Sequence, residues 1–461
     1  MATSIHGKDY LSLTPYSNCK TRVIDLQSLD IPETGSDDIY RQIFQDYTKV
    51  AVPGSNRDLL RRAVESIKYG IAPPVAFPTE TVYGLGADAT NAPSVAEIFA
   101  AKGRPNDNPL IVHVSSSEHL QRVIGEPVPA HYNLAIEHFW PGPLTILLPL
   151  PANSRFAANV HPGQNTIGFR MPSSKYARFF IAACDRPIAG PSANSSGKPS
   201  PTTAQHVVDD LKGKINFILD GGSCDVGVES TVVDGLHNPP LILRPGGVSL
   251  EELRQIGGIW ADTAIGYNQH HSTSSPSTPA SDLYVESTNG APRAPGMKYR
   301  HYSPAGKVIL FSHAALQRGK AEEYLSTLTN VHQLDGRAKR IGFISWISPK
   351  FLGVPSTSDC GIAQVDEEVV KQSHYVHSLS VASYGKEAES QALLVDVAIQ
   401  PTIADLAKEL FGVLRFFDDL KCDYIFAELA QRRDGVPAGS GQVWDAVADR
   451  LGKAASETIE E

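Results

Sequence analysis

The chain has few of the features that mark secreted, membrane-spanning or nucleic-acid-coating proteins. Its five cysteines (Cys19, Cys184, Cys224, Cys360 and Cys422) are scattered, odd in number and contain no CxxC pair. That argues against a disulfide framework and a structural zinc, and fits a reducing compartment. No apolar run approaches the roughly 18 to 20 residues that a bilayer demands, and the N-terminus lacks the basic-then-apolar order of a secretory signal. A cytoplasmic protein without a membrane partner is the expectation. Basic excess is missing too: the formal net charge is −9, so broad non-specific binding to nucleic acid through neutralised phosphates is disfavoured.

What is present is an ordinary globular balance, 41% apolar and 20% charged, over 461 residues. That length exceeds what one hydrophobic core usually supports, and two α/β domains are expected. Residues 1–56 offer one strand, Thr21 to Leu26, followed by polar sequence without a sustained period, and read as a loosely attached arm. A first domain, 57–259, opens with a helix whose Leu59, Leu60, Ala63, Val64 and Ile67 share a face and whose Gly70 stands at the C-terminal cap. Short apolar runs then alternate with helical segments: Val75–Phe77, Leu110–Val114, Leu144–Leu148, Thr166–Phe169, Phe217–Leu219, Thr231–Val233 and Leu241–Leu243. Many end in Pro, Gly or Ser, which puts polar loop residues at strand ends, where sites form. Residues 260–304 include the Ser/Thr/Pro-rich stretch His270 to Pro279 and read as a linker. A smaller second domain, 305–455, carries strands at Lys307–Phe311, Arg340–Ile344 and Asp423–Phe426 and an amphipathic helix over Ala404–Leu420. The acidic end, 456–461, is expected to fray.

Several blocks carry candidate chemistry. Pro78-Thr79-Glu80-Thr81-Val82-Tyr83-Gly84-Leu85-Gly86 follows a strand directly. It is either a tight turn or a polar lip with Thr81 facing a substrate; a dinucleotide fingerprint would need a third glycine. Lys102 and Arg104 end a helix, where cations suit the negative terminus. Pro105 and Pro109 stiffen the loop that follows, which favours a fixed grip on polyphosphate. His113 sits inside an apolar run, either as a core residue or as a ligand contact. On the strand Asn165–Pro172, Thr166, Gly168 and Arg170 share one face. A buried Arg170 requires an anion, supplied either by a structural carboxylate or by the carboxylate of an amino acid. The small and hydroxylated loop Ala189 to Thr202 lets backbone and hydroxyls approach phosphate or ribose. Pro201-Thr202-Thr203 could also simply start the helix that continues through Val207 and Leu211.

In this order the blocks PTETVYGLG, KGRPNDNPLIVHV, WPGPLT, NTIGFRMP, PSANSSGKPSPT, DGG, GVESTVVD and LRPG resemble the YrdC-like domain of threonylcarbamoyl-AMP synthases. The segment APGMKYRHYSP, residues 294–304, is similar to the linker of the family's two-domain members, whereas Arg433 to Val443 departs from their glycine-rich wording. The resemblance implies a twisted open α/β sheet around a concave active-site cavity, followed by a smaller Rossmann-like α/β domain. It implies that L-threonine takes up bicarbonate as a carbamate, which attacks the α-phosphate of ATP with Mg²⁺ present and releases diphosphate. The adenylate formed serves threonylcarbamoyl-adenosine modification of tRNA through a downstream transferase complex, and direct tRNA contact is possible but not required.

By carry-over, Lys102 and Arg104 stabilise the developing charge. Arg104, Asn108, Thr166, Ser192, Ser200, Arg244 and Tyr302 contact ATP, with Tyr302 reaching back from the linker. Thr81, His113, Arg170, Gly190 and Ser230 hold L-threonine, and no protein group is implied as a metal ligand. An RNA-binding module is one alternative, but residues 57–259 hold 17 Lys plus Arg against 18 Asp plus Glu, too balanced for a basic face. A carbamoyltransferase of related fold is another, and it would bring zinc-binding cysteine modules that are missing here.

Telling threonine from serine means recognising one methyl group, worth only about 1 to 3 kcal/mol in a pocket. Measurable serine turnover at saturating concentration is therefore expected, and its complete absence would contradict a simple methyl pocket.

Overall fold

The structure is a computed structural model of the chain. It describes residues 19–33, 36–70, 73–104, 108–267, 301–329, 339–345, 378–383, 391–399, 402–429 and 443–460. The chain divides into two compact units, residues 1–196 with 200–299, and residues 197–199 with 300–461.

The first unit is built on eleven described strands: β1 (Arg22–Asp25), β2 (Val75–Phe77), β3 (Gly84–Asp88), β4 (Ile111–His113), β5 (Leu144–Pro149), β6 (Thr166–Arg170), β7 (Ile188–Ala189), β8 (Phe217–Asp220), β9 (Thr231–Asp234), β10 (Leu241–Arg244) and β11 (Ala264–Ile265). They form one mixed sheet in the order β1-β8-β2-β3-β7-β4-β6-β5-β9-β10-β11. Its helices are α1 (Asp37–Thr48), α2 (Asn56–Tyr69), α3 (Ala92–Lys102), α4 (Ser117–Ile124), α5 (Asn133–Phe139), α6 (Lys175–Cys184), α7 (Ala204–Leu211) and α8 (Leu250–Gln255). Their ends follow local rules. Ser55 caps α2 by accepting from the Asp58 N–H, and Gly70 closes it at φ 61°, a left-handed conformation that glycine adopts without steric cost. Thr203 caps α7, and Ser249 with Glu252 forms a complete capping box on α8.

Alternation along the strands sorts side chains onto two faces. One face, with Val112, Phe169, Ile146, Val233 and Ile242, packs with residues of α3, α4, α5, α7 and α8. On the other face Phe77, Ile188, Phe217 and Leu219 pack with residues of α1, α2 and α6. Further along that second face lies a small cluster of Ile111, Leu147, Val232, Leu241 and Leu243 that includes no helical residue. The candidate site sits beside it.

Two boundaries drawn from sequence are corrected in this unit. Residues 19–56 are not a loose arm. β1 pairs in parallel with β8, Arg22 opposite Phe217 through Asp25 opposite Asp220, and α1 packs its Tyr40 edge-on against Phe179 at 6.3 Å. Ile24, Leu26, Leu29, Ile31 and Tyr40 are buried in the same layer. In α1, Tyr40, Ile43, Phe44 and Tyr47 form one stripe at helical spacing that packs into this layer. The linker does not begin at 260 either, since Trp260 is fully buried and β11 pairs with β10. The Ser/Thr/Pro stretch itself lies outside the described residues.

In the second unit the described elements are β12 (Lys307–Phe311), α9 (His313–Gln317), α10 (Lys320–Thr329), β13 (Lys339–Ser345), β14 (Ser378–Ser383), β15 (Gln391–Ala398), α11 (Ile403–Asp419), β16 (Tyr424–Glu428), α12 (Trp444–Ala454) and β17 (Ala455–Ile459). The sheet order is β14-β15-β13-β16-β12-β17, parallel throughout except for β14 at the edge. The acidic end is thus a strand and not a frayed tail. Glu457 pairs with Ile309 and accepts a 2.8 Å hydrogen bond from the Tyr324 hydroxyl, so an edge position lets charged side chains point outward while the backbone pairs. Residues 430–442, within which most of the departing segment falls, lie outside the described residues.

Tyr40→Ala tests the docking of the N-terminal segment. Removing a fully buried aromatic costs about 3 to 5 kcal/mol, so the urea midpoint should fall clearly, whereas an unchanged midpoint would restore the loose arm.

Candidate active site

The second face of the first sheet gathers polar side chains where its neighbours are apolar. Parallel pairing of β4 with β6 sets His113 opposite Arg170. Arg170 is 3% exposed, and such a charge must be compensated where water cannot reach it. Its Nη2 stands 2.7 Å from Glu80 Oε1, its Nη1 donates to Thr81 Oγ1 at 2.8 Å, and its Nε donates to the Gly142 carbonyl at 3.2 Å. Because Thr81 Oγ1 accepts from Arg170, its hydroxyl is free to donate to Thr79 Oγ1 at 2.9 Å. Thr79 donates onward to the Val82 carbonyl at 2.6 Å. A relay of hydroxyls thus fixes the donor directions around the guanidinium.

His113 is buried edge-on to Phe77 at 5.6 Å. Burial, reinforced by the charge of Arg170, pushes its pKa down to about 3, so it is neutral at physiological pH. Its Nδ1 makes no hydrogen bond. Gly190 keeps the space beside that nitrogen clear, since a Cβ there would stand 3.1 Å from His113 Nδ1.

A second group lies around Ser230. Its hydroxyl is 2.8 Å from Thr145 Oγ1, and Arg244 Nη2 donates to its carbonyl at 2.9 Å and to its hydroxyl at 3.1 Å. Gly246 lets this corner close: a Cβ there would fall 2.2 Å from the Thr231 nitrogen and 2.3 Å from the Glu229 oxygen. Close by in sequence, Glu229 Oε1 accepts a 2.6 Å hydrogen bond from Ser200.

The loop 189–202 is held from three sides. Lys102 Nζ donates to the carbonyl of Ser192, to the Asn194 carbonyl at 2.8 Å and to Asn194 Oδ1 at 3.1 Å. Leu85 N–H donates to Pro191 O at 2.7 Å, Ala193 N–H to Tyr83 O at 2.8 Å and Tyr83 N–H to Pro201 O at 2.8 Å. The Tyr83 hydroxyl, its pKa raised by burial, donates to Gly222 O at 2.6 Å. In this way PTETVYGLG, PSANSSGKPSPT and DGG interlock.

Most of the residues selected from sequence fall into these groups. Thr81 and Arg170 touch, His113 lies next to them in register, Ser230 and Arg244 touch, and Lys102 binds the backbone of Ser192. Lys102 directs its ammonium at loop oxygens. Arg104 follows the Gly103 cap, its N–H donating to Phe99 O at 3.0 Å. Asn108 is fully buried, and its amide nitrogen and oxygen both lack a hydrogen-bond partner, a deficit that a polar ligand would relieve. Thr166 lines a small depression with Leu110, Thr145, Gly168 and Val232. Tyr302 belongs to the second unit, where it stacks on Phe411 at 5.1 Å beneath Arg450.

Sequence reasoning missed Glu80, Thr145 and Glu229. The available signal was a carboxylate within a block of buried threonines, which is unusual unless a cation faces it.

Comparison with known proteins bears on what such a site does. A family model described as telomere recombination matches residues 72–246, and one described as threonylcarbamoyl-AMP synthase, C-terminal domain, matches residues 248–456. The chain is 37% identical over 440 residues to a threonylcarbamoyl-AMP synthase of Schizosaccharomyces pombe, covering 90% of this chain and 93% of that one. It is 48% identical over 236 residues to that of Pyrococcus abyssi, covering 51% and 63%. The crystal structure of the P. abyssi protein Sua5 complexed with L-threonine matches with a TM-score of 0.63 at 36% identity, over 87% of this chain and 96% of that one.

Gly246→Ala probes the closed corner. With backbone atoms nearer than any Cβ tolerates, the segments must separate at a cost of about 1 to 3 kcal/mol. A lowered denaturation midpoint is expected, and wild-type stability would mean that the corner is looser than described.

Proposed function

Because the chain belongs to the threonylcarbamoyl-AMP synthase family, we propose that it joins L-threonine, bicarbonate and ATP into L-threonylcarbamoyladenylate, releasing diphosphate and water. It is an ATP-using enzyme of the nucleotidyltransferase type. The observation that carries the reading onto particular residues is the buried Arg170, with Thr81 on one terminal nitrogen and His113 opposite it in register.

Arg170 has five N–H groups, and its three contacts leave donor capacity on the terminal nitrogens for a substrate carboxylate. Thr81, neutral His113, Gly190 and Ser230 surround the rest of the amino acid. Arg104, Asn108, Thr166, Ser192, Ser200 and Arg244 serve the nucleotide, with Tyr302 assigned there by family likeness alone. Lys102 acts through the loop it ties down and holds Ser192 in place.

The nucleophile is the substrate's own carbamate oxygen, so catalysis is positioning plus offset of charge between two anions. Arg104 and Arg244 supply positive charge. Among the described residues no three His, Cys, Asp or Glu side chains converge as metal ligands. Mg²⁺ fits best as a companion of the triphosphate, where it commonly keeps its waters and relies on substrate phosphates. Thr81, His113, Arg170 and Ser230 are each at most 3% exposed, and an enclosed site protects a labile adenylate from water. The product must then be passed to a transferase acting on tRNA. No helix among the described residues is long and apolar enough to cross a membrane, and water-soluble substrates suit a cytoplasmic setting.

Incubation with ATP, Mg²⁺, labelled bicarbonate and single amino acids tests the reading. Threonine-dependent diphosphate release with a labelled adenylate is expected; amino-acid-independent release would refute it. Arg170→Lys keeps the charge but loses the planar fork. It should raise the threonine KM about tenfold or more while leaving the ATP KM within about twofold.

A further inference from the structure

Glu80 is an anomaly in the site. It is 6% exposed, and its Oε1 stands 2.7 Å from Arg170 Nη2 as an ion pair, yet neither carboxylate oxygen has a hydrogen-bond partner. A buried carboxylate without hydrogen-bond donors is costly, and such groups ask for an explanation. If Glu80 merely neutralised Arg170, two-point pairing of both oxygens with the fork would be the stable arrangement. Its backbone is pinned where it stands, since Val226 N–H donates to Glu80 O at 2.8 Å. Cys224 nearby is held as a neutral thiol by burial and by the charge of Glu80, and so places no second anion beside it. Glu80 is also the neighbour in sequence of Thr81, which shares Arg170 with it.

A cation–anion pair with an unmatched anionic oxygen is complementary to a zwitterion. An α-amino acid whose carboxylate lies on Arg170 carries its ammonium two bonds away, within reach of a carboxylate that touches the same guanidinium. We propose that Glu80 receives the α-ammonium of the substrate and accepts the proton released as the amine becomes a carbamate. This rests on the function proposed above.

The ammonium gives one proton to Glu80, and the freed lone pair forms the N–C bond to carbon dioxide, with one C–O π pair moving onto oxygen. The nitrogen then sheds a second proton. Conversion of bicarbonate to carbon dioxide and water consumes one proton, so one of the two is taken up there and the net one leaves through Glu80. Glu80 is on this account a catalytic residue, because it touches the reacting nitrogen.

The test compares, by calorimetric titration, L-threonine with the hydroxy acid in which its α-amine is replaced by hydroxyl. Wild type should prefer threonine by roughly ten- to a hundredfold, the worth of a charge-assisted hydrogen bond. In Glu80→Gln, which retains an oxygen for Arg170, the preference should fall to about twofold or less with the hydroxy acid bound as before. In Glu80→Asp most of the preference should survive. A Glu80→Gln protein that loses affinity for both ligands equally would overturn the proposal and leave Glu80 a structural counter-ion. If Glu80→Gln does not fold, wild type decides alone: equal affinity for the two ligands overturns the proposal, and a clear preference for the ammonium supports it. A wild type that binds neither ligand would instead sink the functional reading, and this proposal with it.

Discussion

A guanidinium buried on the face of a β-sheet is the constraint around which the first unit is arranged. Isolating the Arg170 charge from water would cost several kcal/mol unless acceptors faced its fork. Glu80, Thr81 and the Gly142 carbonyl face three of its five N–H groups, from two separate stretches of chain. Each is positioned by something further out: Thr81 by Thr79, Glu80 by Val226. Once the cation is held in this way, its remaining donors point in fixed directions. A small anion entering the site then meets little reorganisation cost, which is the physical content of a preorganised site.

The glycines and small residues of the motifs have a complementary role. Gly246 permits the backbone of one block to rest against the backbone of another, and Gly190 leaves the ring nitrogen of His113 uncovered. Lys102 contributes from outside by binding three oxygens of the loop 189–202. An ammonium has three donors and no acceptor, and here three loop oxygens converge on it. The charge that sequence reasoning gave to the nucleotide is thereby directed first to the architecture of the loop.

Helices cover both faces of the first sheet: α3, α4, α5, α7 and α8 lie on the face carrying Val112, Phe169 and Val233, and α1, α2 and α6 lie on part of the face carrying His113 and Arg170, which further along holds an apolar cluster without helical residues. The N-terminal segment belongs to this scheme. By adding β1 beyond β8 and laying α1 against α6, it completes the layer that holds Phe77, and Phe77 in turn buttresses His113.

The sequence by itself determined the short apolar strands, the cap at Gly70, and the motifs that bring Thr81, His113, Arg170, Ser230 and Arg244 into play. These depend on local rules: apolar runs bounded by Pro and Gly, capping geometry, and an ordered set of motifs. It also required that Arg170 have an anionic partner, because burial of a charge is costly wherever the strand lies. Only the tertiary structure decided that this partner is Glu80, that Lys102 serves the loop, that residues 19–56 are part of the sheet, and that the acidic end forms β17. Each of those outcomes depends on pairing between segments far apart in sequence, where no local period or propensity records which strand edge or which oxygen will be the neighbour.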